Sequence, residues 1–179
     1  MEFHRVMRTH YLITEQPLGL EAVAARVADP AAGAVAVFVG TARNAMDGKV
    51  VRHLEYEAYQ PMAERVLAEI GTEIAVQWPE VVGVAIAHRV GRVQIGAASV
   101  ILAVSAPHRR DALAACAWGI DRLKAVLPVW KLETFADGTV WRENRVDNVV
   151  EEVSGPDSGE LPRPADSGRP GVPRPGAGA

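Results

Sequence analysis

The sequence predicts an α+β fold, in which mostly antiparallel sheets carry packed helices. Predicted strands follow one another in neighbouring pairs, and a predicted helix separates each pair from the next. Strands that are adjacent in sequence favour antiparallel pairing, whereas a parallel sheet needs strictly alternating strands and helices. The chain also lacks a phosphate-binding loop, a dinucleotide-binding glycine motif, a zinc-protease motif and a nucleophile elbow. The expected order is strand, helix, hairpin, helix, hairpin, helix, hairpin.

Composition limits the class of protein. The chain has 179 residues, of which 49% are hydrophobic and 23% charged, and this suits a single globular domain, which we expect to span residues 1–150. A net charge of −3 argues against a nucleic-acid binder. The single cysteine, Cys116, excludes an intrachain disulfide framework and a cysteine-rich zinc site. No signal peptide or bilayer-spanning run is evident, so we expect a cytoplasmic protein.

The first third of the chain is predicted to hold three strands and a short helix. Residues 9–14 read as a strand, and residues 20–27 as a short amphipathic helix. Residues 33–40 are predicted to be a buried strand and residues 51–59 a strand with one wet face, because apolar and polar residues alternate there. We predict that these two strands form an antiparallel hairpin. Its long loop carries Arg43, either an anion ligand or a plain surface arginine.

The middle of the chain is predicted to hold a structural helix and a second strand pair. Pro61 is suited to the first turn of a helix, whose charged residues read as a solvated face. Residues 81–90 and 93–105 then read as two strands joined at Gly91. His88 lies near the end of the first of them, and such a histidine is more often a packed or surface residue than a ligand.

A third helix is predicted to begin at Pro107 and to carry a buried apolar face. The residues assigned to that face recur at helical spacing and are Leu113, Cys116, Ala117, Ile120, Leu123 and Leu127. Lys124 falls on the same face. A lysine there either extends to the rim of the core or points into a pocket, where it could serve as a base or nucleophile.

The start of this third helix is unusually cationic. His108, Arg109 and Arg110 occupy its first residues, although a helix N-terminus favours acidic side chains. An anion bound by helix N–H groups and these side chains would explain the sequence. The alternative is a solvated basic turn with Asp111 as its counter-charge.

The helix is predicted to stop at Pro128, after which a strand carries Lys131 and Glu133. Two lysines, a His-Arg pair and a carboxylate around one helix could form a single site. A last hairpin is expected to turn at Asp137-Gly138. The Gly- and Pro-rich tail at residues 154–179 cannot bury enough apolar surface to fold, so we expect it to be disordered.

Six short motifs, in a fixed order, carry a resemblance to a known family. They are F-V-G-T-A-R-N (38–44), L-E-Y-E-A-Y-Q-P-M (54–62), H-R-V-G (88–91), A-P-H-R (106–109), L-K (123–124) and P-V-W-K-L-E (128–133). Through them the chain resembles the large, catalytic subunit of molybdopterin synthase over roughly residues 10–145. Two departures, Ala42 and Val129, replace one apolar residue with another. The resemblance implies an α+β fold with an α/β-hammerhead-like subdomain.

The resemblance also implies an activity, that of a sulfurtransferase in molybdenum cofactor biosynthesis. A small ubiquitin-like partner would end in Gly-Gly bearing a thiocarboxylate. Two sulfurs would pass in turn to cyclic pyranopterin monophosphate, forming the dithiolene of molybdopterin. The assembly implied is a heterotetramer around a central homodimer of this chain. No cofactor and no metal ion are implied, because the nucleophile arrives already activated on the partner.

The family's substrate pocket, carried over by position, maps to Thr41, Ala42, Arg43, His108, Arg109, Lys124, Lys131, Leu132 and Glu133. The resemblance implies that the arginines and His108 neutralise the substrate phosphate. Lys124 would be the principal catalytic group and Lys131 would assist at the thiocarboxylate. Glu133 would orient a lysine or contact the pterin.

Two other classes of function compete with this interpretation. One is a non-catalytic binding module of the same fold, which would bind a phosphorylated metabolite or a ubiquitin-like partner. The two lysines argue against it, because a pure binder has no need to bury a lysine. The other is an unrelated phosphotransfer or hydrolytic enzyme, which ranks last because its usual motifs are missing.

Overall fold

The computed structural model describes residues 6–46, 48–135, 138–143 and 149–151, and it confirms the α+β class. The helices are α1 (Leu20–Ala25), α2 (Gln60–Gln77) and α3 (Arg109–Val126). The strands are β1 (Arg8–Thr14), β2 (Ala34–Thr41), β3 (Ala45–Met46), β4 (Lys49–Ala58), β5 (Gly83–Arg89), β6 (Gly91–Val93), β7 (Ala98–Ala106), β8 (Val129–Phe135), β9 (Thr139–Glu143) and β10 (Val149–Glu151). No helix among the described residues is both long enough and apolar enough to cross a bilayer.

The strands form two sheets. One has four strands in the order β1-β5-β7-β2, and the pairing of β1 with β5 is parallel while the other pairings are antiparallel. The second has the order β10-β9-β8-β4-β3, is antiparallel throughout, and accepts β6 as an extra partner of β4. The expectation of mostly antiparallel sheets is therefore confirmed.

Alternating side chains of the four-stranded sheet divide the core into two parts. Ala85 and Ala87 of β5 face a small cluster under α1. Val84 and Ile86 face the larger core, where α2 and α3 pack together. The second sheet contributes to this same larger core through its inner side chains, such as Leu54. The larger core thus joins both sheets and the two long helices.

The predicted hairpin of residues 33–40 with residues 51–59 is wrong. The first of these strands, β2, pairs with β7, whereas the second, β4, pairs with β3, β6 and β8 in the other sheet. The chain crosses between the sheets at residues 42–44. Ala42 anchors that crossing, since its N–H donates to the Ala97 carbonyl at 3.0 Å and its carbonyl accepts from Gly96 at 2.8 Å. The expectation of a buried strand at residues 33–40 is also wrong, because β2 is an edge strand of the four-stranded sheet and Ala36 is its only buried residue. Strand β7 is buried along almost its whole length and lies between β5 and β2, so β2 supplies the second hydrogen-bonding neighbour that β7 needs.

The other strand pairs are close to expectation. The strands expected at residues 81–90 and 93–105 pair as β5 with β7, although the short β6 between them joins the second sheet. The hairpin of β8 with β9 is also confirmed, and its turn is closed by the Phe135 N–H donating to the Gly138 carbonyl at 2.8 Å. Strand β10, which the sequence did not predict, pairs with β9. Asp137 and the tail at residues 154–179 lie outside the described residues.

The buried face predicted for α3 is confirmed at four of its six positions, which are Cys116, Ile120, Leu123 and Leu127. Leu113 is 60% exposed and Ala117 is also exposed, so their assignment to the buried face is wrong. The buried residues of α3 are Ala112, Ala115, Cys116, Gly119, Ile120 and Leu123. Small side chains on this face let α3 pack closely against β2, β7 and α2. The helix also starts two residues later than expected, with His108 as its N-cap.

Candidate active site

A cavity of about 420 Å³ lies where the two sheets meet. Its walls come from the end of β2 and the loop that follows, from β4 and β8 of the second sheet, and from the ends of β5 and β7. The last turns of α3 contribute Leu123 and Lys124. The cavity therefore depends on tertiary packing, because seven elements, spread from β2 to β8 along the chain, each supply part of its surface.

Five of the residues expected from the sequence line this cavity together: Thr41, Arg43, Lys124, Lys131 and Glu133. Arg43 lies on the crossing between the sheets, as the loop position predicted. Lys124 comes from the end of α3, and the other lysine comes from β8. Three cationic side chains and one carboxylate thus face the same cavity, a composition suited to an anionic ligand.

Lys131 and Glu133 form an ion pair, with 2.6 Å between Lys131 Nζ and Glu133 Oε1. Both project from the same face of β8, because residues two apart on a strand point the same way. The Glu133 side chain is fully buried and that of Lys131 is only 15% exposed. Because this ion pair is buried, its geometry is fixed. The Lys131 ammonium group therefore has a defined position at the cavity. This favours the interpretation in which Glu133 orients a lysine.

Lys124 is half-buried on α3, and its Nζ lies 5.9 Å from the centroid of the Phe38 ring. Of the two alternatives for this lysine, the structure favours the pocket, because both Lys124 and Phe38 line the cavity. An ammonium group over an aromatic face gains a cation–π attraction. The ring therefore holds the charged end of Lys124 at the cavity wall.

Four other residues carried over by resemblance are not brought into this cavity by the single chain. His108 and Arg109 are exposed at the start of α3, and the His108 side chain makes no capping hydrogen bond to the helix. Ala42 is buried in the crossing and Leu132 is half-buried on β8. None of the four is among the lining residues. Their assignment to the substrate pocket stays a prediction.

Three polar lining residues were not selected from the sequence, namely Tyr56, His88 and Ser99. His88 is 1% exposed, and its ring meets the Tyr56 ring edge-on with 5.3 Å between centroids. Burial lowers the pKa of His88 to about 4. Burial also raises the pKa of Tyr56, as does the charge of Glu133, whereas a hydrogen bond with Ser99 acts in the opposite direction. The available sequence signal was the H-R-V-G motif, which did not reveal that His88 is buried.

The low pKa of His88 makes folding stability depend on pH. Between about pH 6.5 and about pH 4 the unfolded chain binds a proton at His88 that the folded chain does not, so stability falls as pH falls through this window. The expected loss is about 3 kcal/mol over the window. The measurement is urea unfolding of the intact chain across this pH range.

His88→Phe should abolish most of this pH dependence, whatever it does to stability at neutral pH. His10→Gln is the matched control, since the pKa of His10 is also lowered, by partial burial and by Arg26, but its side chain is far less enclosed. If the stability of the His88→Phe variant still fell as the pH fell from 6.5 to about 4, another titratable group would be responsible for the pH dependence.

Comparison with known proteins places this architecture in a family. The MoaE protein family model matches residues 13–126, more than half of the chain. A relative from Halalkalibacterium halodurans, named molybdopterin synthase catalytic subunit, is 46% identical over 131 residues, which cover 73% of this chain and 83% of the relative. The crystal structure of molybdopterin synthase from Staphylococcus aureus is similar with a TM-score of 0.70 and 42% identity, covering 73% of this chain and 94% of that one.

A more distant solved structure shows the same fold. It is a protein–protein complex of subunits 1 and 2 of molybdopterin-converting factor from Helicobacter pylori. The similarity has a TM-score of 0.60 at 22% identity, and it covers 76% of this chain and 91% of the other. The arrangement of two sheets and packed helices is therefore retained when most side chains differ.

Proposed function

Because the chain belongs to the MoaE protein family, we propose that it is the catalytic subunit of a molybdopterin synthase. In this role it transfers two sulfurs from the thiocarboxylated C-terminus of a small ubiquitin-like subunit to cyclic pyranopterin monophosphate. Each thiocarboxylate supplies one sulfur, so the products are the dithiolene of molybdopterin and two carriers that end in an ordinary carboxylate. The names of its relatives support the synthase assignment.

The observation that carries the proposal is the convergence of Lys124, Lys131, Glu133 and Arg43 on one cavity. The substrate carries a phosphate and the partner delivers a thiocarboxylate, so two anions must be held close together. Three cations balance these charges through charge-assisted hydrogen bonds. The ion pair with Glu133 fixes the position of Lys131, so the three cations cannot all move to bind the same anion.

The sulfur transfer has two parts, and each places charge near a lysine. The thiocarboxylate sulfur first attacks a carbon of the substrate that bears oxygen. A carbon–sulfur bond forms, the carbon–oxygen bond breaks with the oxygen leaving as water or as a phosphate oxygen, and the resulting thioester joins the carrier's terminal acyl group to the substrate. Water then attacks the acyl carbon, the acyl–sulfur bond breaks, and the sulfur stays on the substrate. Lys124 stabilises the negative charge that develops at these steps and exchanges protons with the leaving groups. Lys131 holds the thiocarboxylate end of the partner.

The partner reaches the cavity through its C-terminal tail. Two terminal glycines carry no side chains, so they can enter a narrow space that a bulkier tail could not. The H. pylori complex of two subunits supports a small-subunit partner for this chain as well. A central homodimer, a heterotetramer and a cytoplasmic location stay predictions from the sequence.

Reconstitution tests the proposal. The purified chain is mixed with a thiocarboxylated small subunit and cyclic pyranopterin monophosphate, and the products are oxidised to the fluorescent molybdopterin derivative. We expect product that depends on this chain, in proportion to the thiocarboxylate supplied. A stable complex with the small subunit but no product would instead favour the non-catalytic binding module. The control is the same small subunit carrying an ordinary C-terminal carboxylate, which should give no product.

A further inference from the structure

His88 is a cavity residue to which the sulfur-transfer chemistry assigns no role. It lies on β5 on the same face as Val84 and Ile86, two residues apart each time, so its ring points toward the larger core and the cavity. In the sheet it stands opposite Val100 of β7, which stands opposite Gly40 of β2. All three of these residues line the cavity. This cross-strand row therefore forms part of its floor.

The hydrogen bond made by the ring determines which nitrogen is free. His88 Nδ1 lies 2.9 Å from the Arg89 carbonyl oxygen. A carbonyl oxygen can only accept, so Nδ1 must carry the proton and donate. In a neutral imidazole the other nitrogen, Nε2, then holds a lone pair and is an acceptor. Burial, which disfavours the charged ring, keeps His88 in this neutral form near neutral pH.

The groups around His88 leave this acceptor available. The Tyr56 ring contacts the imidazole edge-on, and the Ser99 hydroxyl donates to the Gly40 carbonyl at 3.2 Å. Within the described part of the chain, Nε2 has no protein hydrogen-bond partner. The charged residues of the cavity are Arg43, Lys124, Lys131 and Glu133.

Few side chains of this cavity can accept a hydrogen bond, because its cationic groups can only donate and its other neutral acceptors are the hydroxyls of Thr41, Tyr56 and Ser99. Lysine and arginine side chains have no acceptor atom in their charged forms. The one carboxylate, Glu133, is engaged by Lys131. A heterocycle that carries ring N–H and amino groups, as a reduced pterin does, therefore finds its complement in a neutral imidazole. Buried polar groups of this type discriminate strongly, because an analogue without the matching donor leaves them unpaired.

We propose that His88 is a specificity-determining residue, which accepts a hydrogen bond through Nε2 from an N–H group of the substrate's heterocyclic ring. The inference rests on the proposed function for the identity of that ring. It assigns the heterocycle to the part of the cavity made by β5 and β7, and leaves the phosphate and the thiocarboxylate to the cations that follow β2 and lie on α3 and β8.

The first test compares two substitutions that separate the two ring nitrogens. His88→Asn retains a donor near Nδ1 for the Arg89 carbonyl but has no atom at the Nε2 position. His88→Gln can place an amide oxygen near the Nε2 position. We expect His88→Asn to raise KM for cyclic pyranopterin monophosphate by about 10- to 100-fold, with a smaller change in kcat. KM for the thiocarboxylated small subunit should not change, and His88→Gln should recover part of the loss.

The result that would overturn the proposal is a folded His88→Asn chain with the wild-type KM for the pterin substrate. An equal rise in KM for both substrates would overturn it too, because a general loss of structure acts on both. Thermal unfolding of each variant accompanies the kinetics.

A second measurement needs no variant and so is independent of folding defects. Histidine-labelled ¹⁵N spectra of the full wild-type chain report which ring nitrogen is protonated. We expect an acceptor-type Nε2 signal from His88 that shifts when 6-methyltetrahydropterin, a reduced pterin that carries ring N–H groups but no phosphate, is added under anaerobic conditions. Inorganic phosphate alone should leave it unchanged. A donor-type Nε2, or a signal unmoved by the pterin, would contradict the proposal.

The two proposals fail in different ways. A wild-type chain that makes no molybdopterin but whose Nε2 signal responds to the pterin would refute the synthase activity and support His88 as a ring acceptor. A wild-type chain that turns over normally but whose Nε2 ignores the pterin would refute only the role of His88.

Discussion

Replacing Lys124 with alanine is expected to lower kcat for molybdopterin formation by about 10²- to 10⁴-fold, the range that proton transfer and electrostatic stabilisation by one positioned group usually supply. The reason is geometric, since Lys124 is half-buried at the cavity wall and its Nζ lies over the Phe38 ring. Binding of the small subunit should stay within a few-fold of wild type, because one lysine makes a small part of that interface. Single-turnover kinetics with preformed thiocarboxylate would measure the chemical step directly.

Lys49 offers a matched control for this substitution. Its Nζ lies 5.8 Å from the centroid of the Phe135 ring, nearly the same cation–aromatic geometry, but it is not among the cavity-lining residues. Lys49→Ala should therefore leave turnover unchanged. Lys124→Arg then separates two roles: it keeps the positive charge but cannot release a proton near neutral pH. Normal turnover of Lys124→Ala would show that the catalytic assignment is wrong.

The residues that line the cavity could be predicted from the sequence where their chemistry conflicted with their surroundings. Lys124 was selected because it is a lysine on a helix face predicted to be apolar. Arg43 was selected because it is a cation directly after a strand predicted to be buried. Lys131 and Glu133 came from a strand-like run at a helix exit. Each of these residues could be recognised from its neighbours in the sequence alone. The structure brings all four together.

His88 could not be recognised in this way, because its burial depends on distant parts of the chain. It is enclosed by β7, which runs antiparallel beside it, and by Tyr56 from the second sheet. Neither neighbour is visible in the residues adjacent to His88. The same limit explains the wrong hairpin, since adjacency in sequence favoured pairing β2 with β4, while the buried strand β7 needs β2 as its second hydrogen-bonding neighbour.

Leu113 was wrongly assigned to the buried face of α3, because a large apolar residue at helical spacing was taken as a signal for burial. The residues that approach the core most closely are small, and Gly119 shows why. A Cβ atom there would come within 2.9 Å of Leu102 Cδ2 and 3.1 Å of Ile74 Cδ1. Close packing of α3 against the sheet and α2 thus requires small residues. Leu113 was left on the solvent side, where a single apolar residue is tolerated.

Lys131→Met is expected to impair both stability and activity. Glu133 is fully buried, and the substitution removes the ammonium group that lies 2.6 Å from its Oε1. Removing one partner of a buried pair typically costs about 3–5 kcal/mol, because the remaining charge is poorly solvated. Urea unfolding at neutral pH should therefore show a large loss of stability, and turnover should fall as well, because the thiocarboxylate loses its cation.

The loss of stability should be specific to the remaining carboxylate. The double variant Lys131→Met/Glu133→Gln should recover most of the stability at neutral pH, since no buried charge remains. It should not recover turnover, since the cation is still missing. If the double variant stayed as unstable as the single one, packing of the Lys131 side chain, rather than the ion pair, would be responsible for the loss.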